Sequence, residues 1–293
     1  MSTRSTASSW PRRRRRPANR SGLPERREEI LETLDAIGVV PSRRWGQSFL
    51  ADPFVADAEA ALADVDPGRP VVEIGGGLGV LTVALLRRGI SPLTVVERDP
   101  RLAGFLRTKF GDRIEVIAGD ALTVPIPDAG CVVGNLPYSV GTAILLRLLE
   151  MRVPRIVFLL QEEVAARLAA GPGSKEYGRL SLIARLYGSV ELFRRVPPES
   201  FVPQPKVGGR IGVHSARSGD LPVPSVERFE AVVRTLFGAR RKQLSNLLPR
   251  LAPSVGEAKR LAEQAGWPPD WEHRRPEELP PEAYFALAAT LAA

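Results

Sequence analysis

The chain has 293 residues, 44% hydrophobic and 25% charged, which is enough to bury a core and to divide into one main and one smaller domain. No apolar run approaches the roughly 20 residues needed to cross a bilayer, and no secretory-type apolar stretch stands near the first residue, so membrane work and export are excluded as expectations and a cytoplasmic location is expected. The single cysteine, Cys131, rules out an internal disulfide and sits in an apolar run as a small buried hydrophobe. The net charge of +8 is unevenly placed: the first 20 residues hold seven arginines (Arg4, Arg12 to Arg16, Arg20) and no acid, which leaves about +1 for the remaining 273.

In chain order, residues 1–22 read as a solvated Arg-rich arm, too poor in apolar surface to fold alone. Its Arg- and Ser-rich, acid-poor composition also admits a transit peptide and an organelle matrix. Leu23 to Ile37 has helical spacing ending at Gly38, and Asp52-Pro53 is an N-cap and first-turn pair for a helix over Phe54 to Val65. Short apolar runs follow at Val71 to Ile74, Leu93 to Val96, Ile114 to Ile117, Cys131 to Val133 and Ile156 to Leu160. Between and after them lie helical segments at Leu78 to Arg88, Pro100 to Lys109, Thr142 to Met151 and Glu162 to Ala170. This alternation predicts an α/β fold, a Rossmann-like doubly wound sheet, which Ser189 to Val196 and Val207 to Val213 complete as a hairpin. After a linker at Ser215 to Ser225, helical patterns at Val226 to Phe237, Gln243 to Leu247, Val255 to Ala265 and Pro281 to Leu291 predict a small α-helical domain. The expected division is 1–22 arm, 23–217 main domain and 218–293 helical domain.

The run Val71-Val72-Glu73-Ile74-Gly75-Gly76-Gly77-Leu78-Gly79 is a strand entering a glycine-rich turn that opens a helix. On its own it admits NAD, FAD or S-adenosyl-L-methionine, but the dinucleotide fingerprint needs a third glycine where Val80 stands. Glu97 ends the second strand about 20 residues on, where a carboxylate accepts both ribose hydroxyls. Asp120, after the third strand, is placed to accept from an adenine amine, with a loop-capping Asp as the plain alternative. Gly134-Asn135-Leu136-Pro137-Tyr138 follows the fourth strand. An exocyclic aromatic amine is a poor nucleophile because its lone pair is delocalised. The Asn135 side-chain oxygen and a neighbouring carbonyl accept both amine hydrogens and favour a pyramidal nitrogen. Pro137 keeps the preceding carbonyl, that of Leu136, out of helix pairing, and Tyr138 offers a stacking face. The two histidines, His214 and His273, lie far apart and beside no acid cluster, so no metal site is expected and both read as surface residues. Arg234, Arg240, Arg241 and Lys242, with Phe237 among them, read either as a phosphate-binding face or as a solvated helix face.

With these residues in this order the chain resembles the KsgA-type ribosomal RNA adenine dimethyltransferases, relatives of the Erm-type resistance methyltransferases. The match spans about Gly46 to Val213 and continues more loosely to the C-terminus. Besides the segments already given, it rests on Gly46-Gln47-Ser48-Phe49-Leu50, Gly119-Asp120, Leu160-Gln161-Glu162-Glu163-Val164, Gly171-Pro172, Tyr177-Gly178-Arg179-Leu180-Ser181, and Val196-Pro197-Pro198-Glu199-Ser200-Phe201 with Pro205-Lys206-Val207. The resemblance implies a methyltransferase domain that binds S-adenosyl-L-methionine through Ser48, Leu50, Gly75, Glu97, Asp120 and Asn135, with methyl transfer at Asn135, Leu136, Pro137 and Tyr138. It implies a target adenine held between Tyr138 and Phe201, and Lys175, Arg179 and Lys206 on backbone phosphates. The partner implied is the rRNA of the small ribosomal subunit in a pre-ribosomal particle, met by a monomer, with N6,N6-dimethyladenosine formed at two adjacent adenines near the 3′ end. An Erm-like large-subunit enzyme, a DNA adenine methyltransferase and an assembly factor with dispensable catalysis are the alternatives; the segments from Gln161 to Ser181 favour the small-subunit enzymes. Where the family usually has Asn and Pro, this chain has Ser48 and Gly76, which implies a looser N-terminal lid. Gly208-Gly209-Arg210 replaces an Asp-Ser-containing run and leaves the local strand pairing open.

Overall fold

A computed structural model of the chain describes residues 22–41, 47–252 and 254–291. The arm expected over 1–22 lies, Gly22 apart, outside the described residues, as does Gly46. The first half runs α1 (Gly22–Ala36), β1 (Phe49–Leu50), α2 (Pro53–Leu62), β2 (Val71–Ile74), α3 (Val80–Arg87), β3 (Leu93–Glu97), α4 (Pro100–Phe110), β4 (Glu115–Ala118) and β5 (Cys131–Asn135). There follow α5 (Gly141–Glu150), β6 (Arg155–Gln161), α6 (Glu162–Ala169), α7 (Arg179–Tyr187), β7 (Gly188–Val196), β8 (Phe201–Val202), β9 (Gly209–Ala216), α8 (Val226–Phe237), α9 (Val255–Gln264) and α10 (Pro281–Thr290).

The helices start where their caps dictate. Asp52 accepts from the Phe54 amide at 2.9 Å with Pro53 in the first turn, and Asp99 accepts from the Arg101 amide at 2.9 Å ahead of Pro100. The strands form a seven-stranded sheet in the order β4-β3-β2-β5-β6-β9-β7, the first five parallel and β9 antiparallel to both neighbours. The hairpin expected from the sequence is thus β7 and β9. The unusual glycines settle their own register: Gly209 pairs with Gln161 on one side and Val196 on the other. Successive strand residues face opposite cores. Val71, Val133 and Val157 join α2, α3 and α4, whereas Val72, Val132 and Ile156 join α5, α7 and the C-terminal helices. Phe229, Val233, Leu236 and Tyr284 belong to that second core, so the C-terminal helices pack continuously with the sheet through α7.

Three elements depart from expectation. Helix α7 buries Leu182, Ile183, Ala184, Leu186 and Tyr187 between sheet and C-terminal helices, so it has no polar stripe to give it a helical period. Gln243 to Leu247 holds a single 3-10 turn, Leu244–Asn246, followed by a second at Leu248–Arg250, because Pro249 cannot continue an α-helix. His214 is not on the surface: it is 1% exposed on β9, with Nε2 3.3 Å from the Ala184 carbonyl oxygen, whereas His273 is exposed. Burial pushes the His214 imidazole down to about 4. A folded-state value below the unfolded 6.5 means that the unfolded chain takes up the proton first, so this contribution is complete above pH 6.5 and is lost as pH falls toward 4. Urea unfolding at pH 7 and pH 4.5 should therefore show the wild type losing on the order of 2 kcal/mol more than His214→Leu. Equal losses would show that the ring is protonated in the folded state.

Candidate active site

The strand order reverses between β2 and β5, and the crevice beyond their carboxyl ends is where open α/β sheets bind ligands. A cleft of about 1170 Å³, counting the space open to solvent, lies there. It brings together Ser48, Leu50, Gly75, Glu97, Asp120 and Asn135, and also Leu136, Pro137, Tyr138 and Phe201, from segments up to 153 positions apart in the chain.

Each of these side chains is held by its own element. Gly77 adopts φ +53°, a left-handed conformation cheap only for glycine, and this turns its amide onto Glu97 Oε2 at 2.9 Å. The Asp99 amide donates to Glu97 Oε1 at 2.9 Å, so both carboxylate oxygens are fixed by backbone amides. Burial raises the Glu97 pKa against the opposing pull of these amides. Asp120 caps its loop by accepting from the Leu122 amide at 2.9 Å, and its other oxygen lies 3.5 Å from Arg98 Nη1. The plain capping role is therefore real, and the residue also borders the cleft.

At Gly134 any side chain would stand 2.6 Å from the Ile74 carbonyl oxygen, so β2 and β5 approach closely just where Asn135 leaves the sheet. The Leu136 amide donates to the Leu159 carbonyl at 3.1 Å, and its buried side chain anchors the turn. The Pro137 carbonyl accepts from Val140 and Gly141 at 3.1 and 2.6 Å. Among the described residues nothing donates to the Leu136 carbonyl or hydrogen-bonds the Asn135 carboxamide, and both residues line the cleft.

Tyr138 and Phe201 meet, but not as parallel walls. Their ring centroids are 6.4 Å apart at 66°, an edge contact, and Phe201 is 1% exposed. A base enters between two faces only if one ring turns, which corrects the expectation of a ready-made sandwich. Lys175, Arg179 and Lys206 are exposed and stand outside the cleft lining. Arg240 is also corrected: its guanidinium turns inward, donating to the Lys175 and Ser174 carbonyls at 2.6 and 2.9 Å and lying 3.4 Å from Glu277. It clamps the loop that carries Lys175 and leaves exposed Arg234, Arg241 and Lys242 for any anion. The looser lid expected from Ser48 is countered by its hydroxyl, which donates to the Pro203 carbonyl at 2.6 Å and ties the start of β1 to the chain after β8.

Sequence reasoning gave no role to Glu73, which lines the cleft floor at 1% exposure with Oε2 accepting from the Thr82 hydroxyl at 2.7 Å. The signal was present: a carboxylate inside the apolar run of a doubly covered strand is out of place unless it serves a ligand. Among the described residues no group of three or more His, Cys, Asp or Glu is placed to hold a metal, and no helix is long and apolar enough to cross a membrane.

A seven-stranded, mostly parallel sheet with a ribose-type carboxylate and an Asn-Leu-Pro-Tyr turn at its switch point defines a Rossmann-like methyltransferase. Comparison with known proteins gives the family. The model of the ribosomal RNA adenine dimethylase family matches residues 41–264, and the chain belongs to that family. It is 42% identical over 254 residues to a probable ribosomal RNA small subunit methyltransferase A of Natronomonas pharaonis, covering 84% of this chain and 91% of that one. It is 39% identical over 232 residues to the ribosomal RNA small subunit methyltransferase A of Anaeromyxobacter sp. strain K, covering 73% and 81%. The 23S rRNA methyltransferase ErmE superposes with a TM-score of 0.66 at 28% identity, over 84% of this chain and 100% of that one. A dimethyladenosine transferase from Plasmodium falciparum shares the fold, with a TM-score of 0.71 at 23% identity over 82% and 95%.

Proposed function

We propose that this enzyme transfers methyl groups from S-adenosyl-L-methionine to N6 of adenines in small-subunit rRNA, dimethylating two adjacent adenines near the 3′ end within a pre-ribosomal particle, as a cytoplasmic monomer. The observation that carries the reading is the pair of open acceptors, Asn135 carboxamide and Leu136 carbonyl, at the sheet edge that also carries Glu97. The cofactor fits the residues present: Glu97 offers two oxygens to a ribose diol, Ser48, Leu50 and Gly75 border the same cleft, and Asp120, also in its lining, is the acceptor for the cofactor adenine.

When bound, the cofactor supplies an electrophilic methyl on its sulfonium. The chain's own residues do the rest. Asn135 and Leu136 accept the two N6 hydrogens and turn the nitrogen lone pair toward that methyl, and positioning of this kind supplies much of the rate. Tyr138 takes one face of the flipped base, with stacking of about 1–3 kcal/mol that offsets the unstacking cost of a few kcal/mol. Phe201 rotates out of its edge contact to take the other face. No strong base is required, because the methylated amine is acidic enough to lose its proton to water. The helical domain over 218–293 and the exposed Lys175, Arg179 and Lys206 hold the RNA backbone.

The likeness to ErmE keeps a large-subunit substrate as the second reading. Unmethylated small subunits, large subunits and naked RNA, incubated in parallel with methyl-labelled cofactor, separate the two. N6,N6-dimethyladenosine confined to the small subunit is expected. Label on the large subunit moves the enzyme to the second reading, and no label despite cofactor binding overturns the catalytic one.

A further inference from the structure

Beneath the cleft floor lies a second buried acid that the reaction above does not use. Glu59, on α2, is fully buried, and neither of its carboxylate oxygens has a partner among the described residues. The charged group that acts on it is Glu73, whose own Oε2 is taken by Thr82 while Oε1 is buried and unpartnered. Helices α2 and α3 pack together over β2, so the two side chains share one dry layer between the helices and the glycine turn. An isolated ionised carboxylate there would cost several kcal/mol, and two adjacent ones more, so at least one proton stays on the pair. A protonated carboxyl is a donor, and Glu73 Oε1 is a buried acceptor with no partner among the described residues.

We propose that Glu59 is a positioning residue for the cofactor's cationic end: it keeps its proton, donates it as a hydrogen bond to Glu73, and so fixes Glu73 as the countercharge beneath the methionine part of S-adenosyl-L-methionine. This rests on the assignment of that cofactor to the cleft. Without cofactor, burial holds Glu73 and Glu59 each at about 8, so both are largely protonated at pH 7. A cation seated above favours ionised Glu73, which releases its proton to solvent while Glu59 retains its own. Cofactor affinity therefore rises as pH climbs toward 8 and levels off above it.

The surrounding groups leave this pairing intact. On β3, Glu97 raises the Glu73 pKa further through its like charge. On β5, Cys131 is neutral because burial pushes its thiol up to about 12. On β6, Arg155 is directed at the Leu62 carbonyl at the end of α2, 2.6 Å away. Helix α3 contributes Thr82 and, at its far end, Arg87; α2 itself contributes only Asp52 at its cap and the exposed Asp57.

The test is calorimetric titration of the full chain with S-adenosyl-L-methionine and S-adenosylhomocysteine in two buffers of different ionisation enthalpy, with thermal melting of the free protein alongside. Wild type should release a proton on binding at pH 7. Glu59→Gln, which keeps a neutral donor, should bind within about threefold of wild type, and Glu59→Leu should bind about tenfold or more weakly, the scale of one hydrogen bond to a charged group. The free Glu59→Leu protein should nevertheless melt higher at pH 8, since an uncompensated buried acid has been replaced by an apolar side chain. Glu59→Leu binding as tightly as wild type would mean that Glu59 only fills space. Glu59→Gln falling with Glu59→Leu, or no proton released by wild type, would equally overturn the inference. Absence of any cofactor binding by wild type would instead overturn the cofactor assignment, and the inference with it.

Discussion

Asn135→Ala should lower methyl transfer by about a thousandfold or more, the scale of losing a group that acts at the reacting atom, while cofactor affinity changes by about 1 kcal/mol or less. The two halves of this expectation have separate structural causes. The Asn135 carboxamide makes no hydrogen bond among the described residues, so its removal takes nothing from the fold. The turn stays in place because the Leu136 amide remains bonded to Leu159 and the Pro137 carbonyl to Val140 and Gly141. In the proposed mechanism, what disappears is one of two acceptors for the target amine, and with it the orientation of the nitrogen lone pair. Asn135→Asp keeps an acceptor at the same place and should retain measurable turnover, which a loss of local structure would not permit. Single-turnover transfer to unmethylated small subunits, measured beside calorimetric cofactor binding, separates the effects. Asn135→Ala with near wild-type turnover would remove Asn135 from the chemistry.

The parts of the fold legible in the sequence are those in which one strand or helix reports its own environment. Four of the five parallel strands, β2, β3, β5 and β6, appear as short apolar runs because both faces are covered, and α2 and α4 announce themselves through Asp-Pro starts at Asp52 and Asp99. The cleft was legible for the same reason: Gly75, Glu97, Asp120 and Asn135 all stand at or just past the carboxyl ends of strands, and a doubly wound sheet gathers those ends at one edge. What stayed hidden depends on partners distant in sequence. Helix α7 is buried nearly all round, His214 owes its burial to α7 packing across β9, and the inward turn of Arg240 depends on a loop 65 positions away. The departures from the family pattern are likewise explained only by neighbours. A side chain at Gly76 would stand 2.5 Å from Val95 Cγ1 and 2.8 Å from Leu106 Cδ1, so here the turn must carry glycine as long as those two residues pack beneath it.

Glu97 combines the binding role proposed for it with a structural one, so its substitution should separate from that of Asn135 in every readout. Glu97→Ala strands the Gly77 and Asp99 amides, each of which donates to it at 2.9 Å, the first in a part-buried and the second in a buried position. At about 1–3 kcal/mol for each unpaired buried donor, with some relaxation toward water, a stability loss of about 2–4 kcal/mol is expected. The ribose diol would lose two charge-assisted acceptors at the same time, so cofactor affinity should fall by about a hundredfold or more. Glu97→Gln is the sharper variant. A carboxamide has one acceptor oxygen, and the site presents amide donors to both positions, so whichever way the group is turned its NH2 meets the amide of Gly77 or of Asp99. The isosteric change should therefore destabilise the glycine turn and weaken cofactor binding almost as much as truncation does. Thermal unfolding without cofactor and titration with S-adenosylhomocysteine test the two consequences independently. If Glu97→Gln binds like wild type, the ribose does not rest on this carboxylate, and the Gly77 amide would then be the group that Glu97 exists to hold.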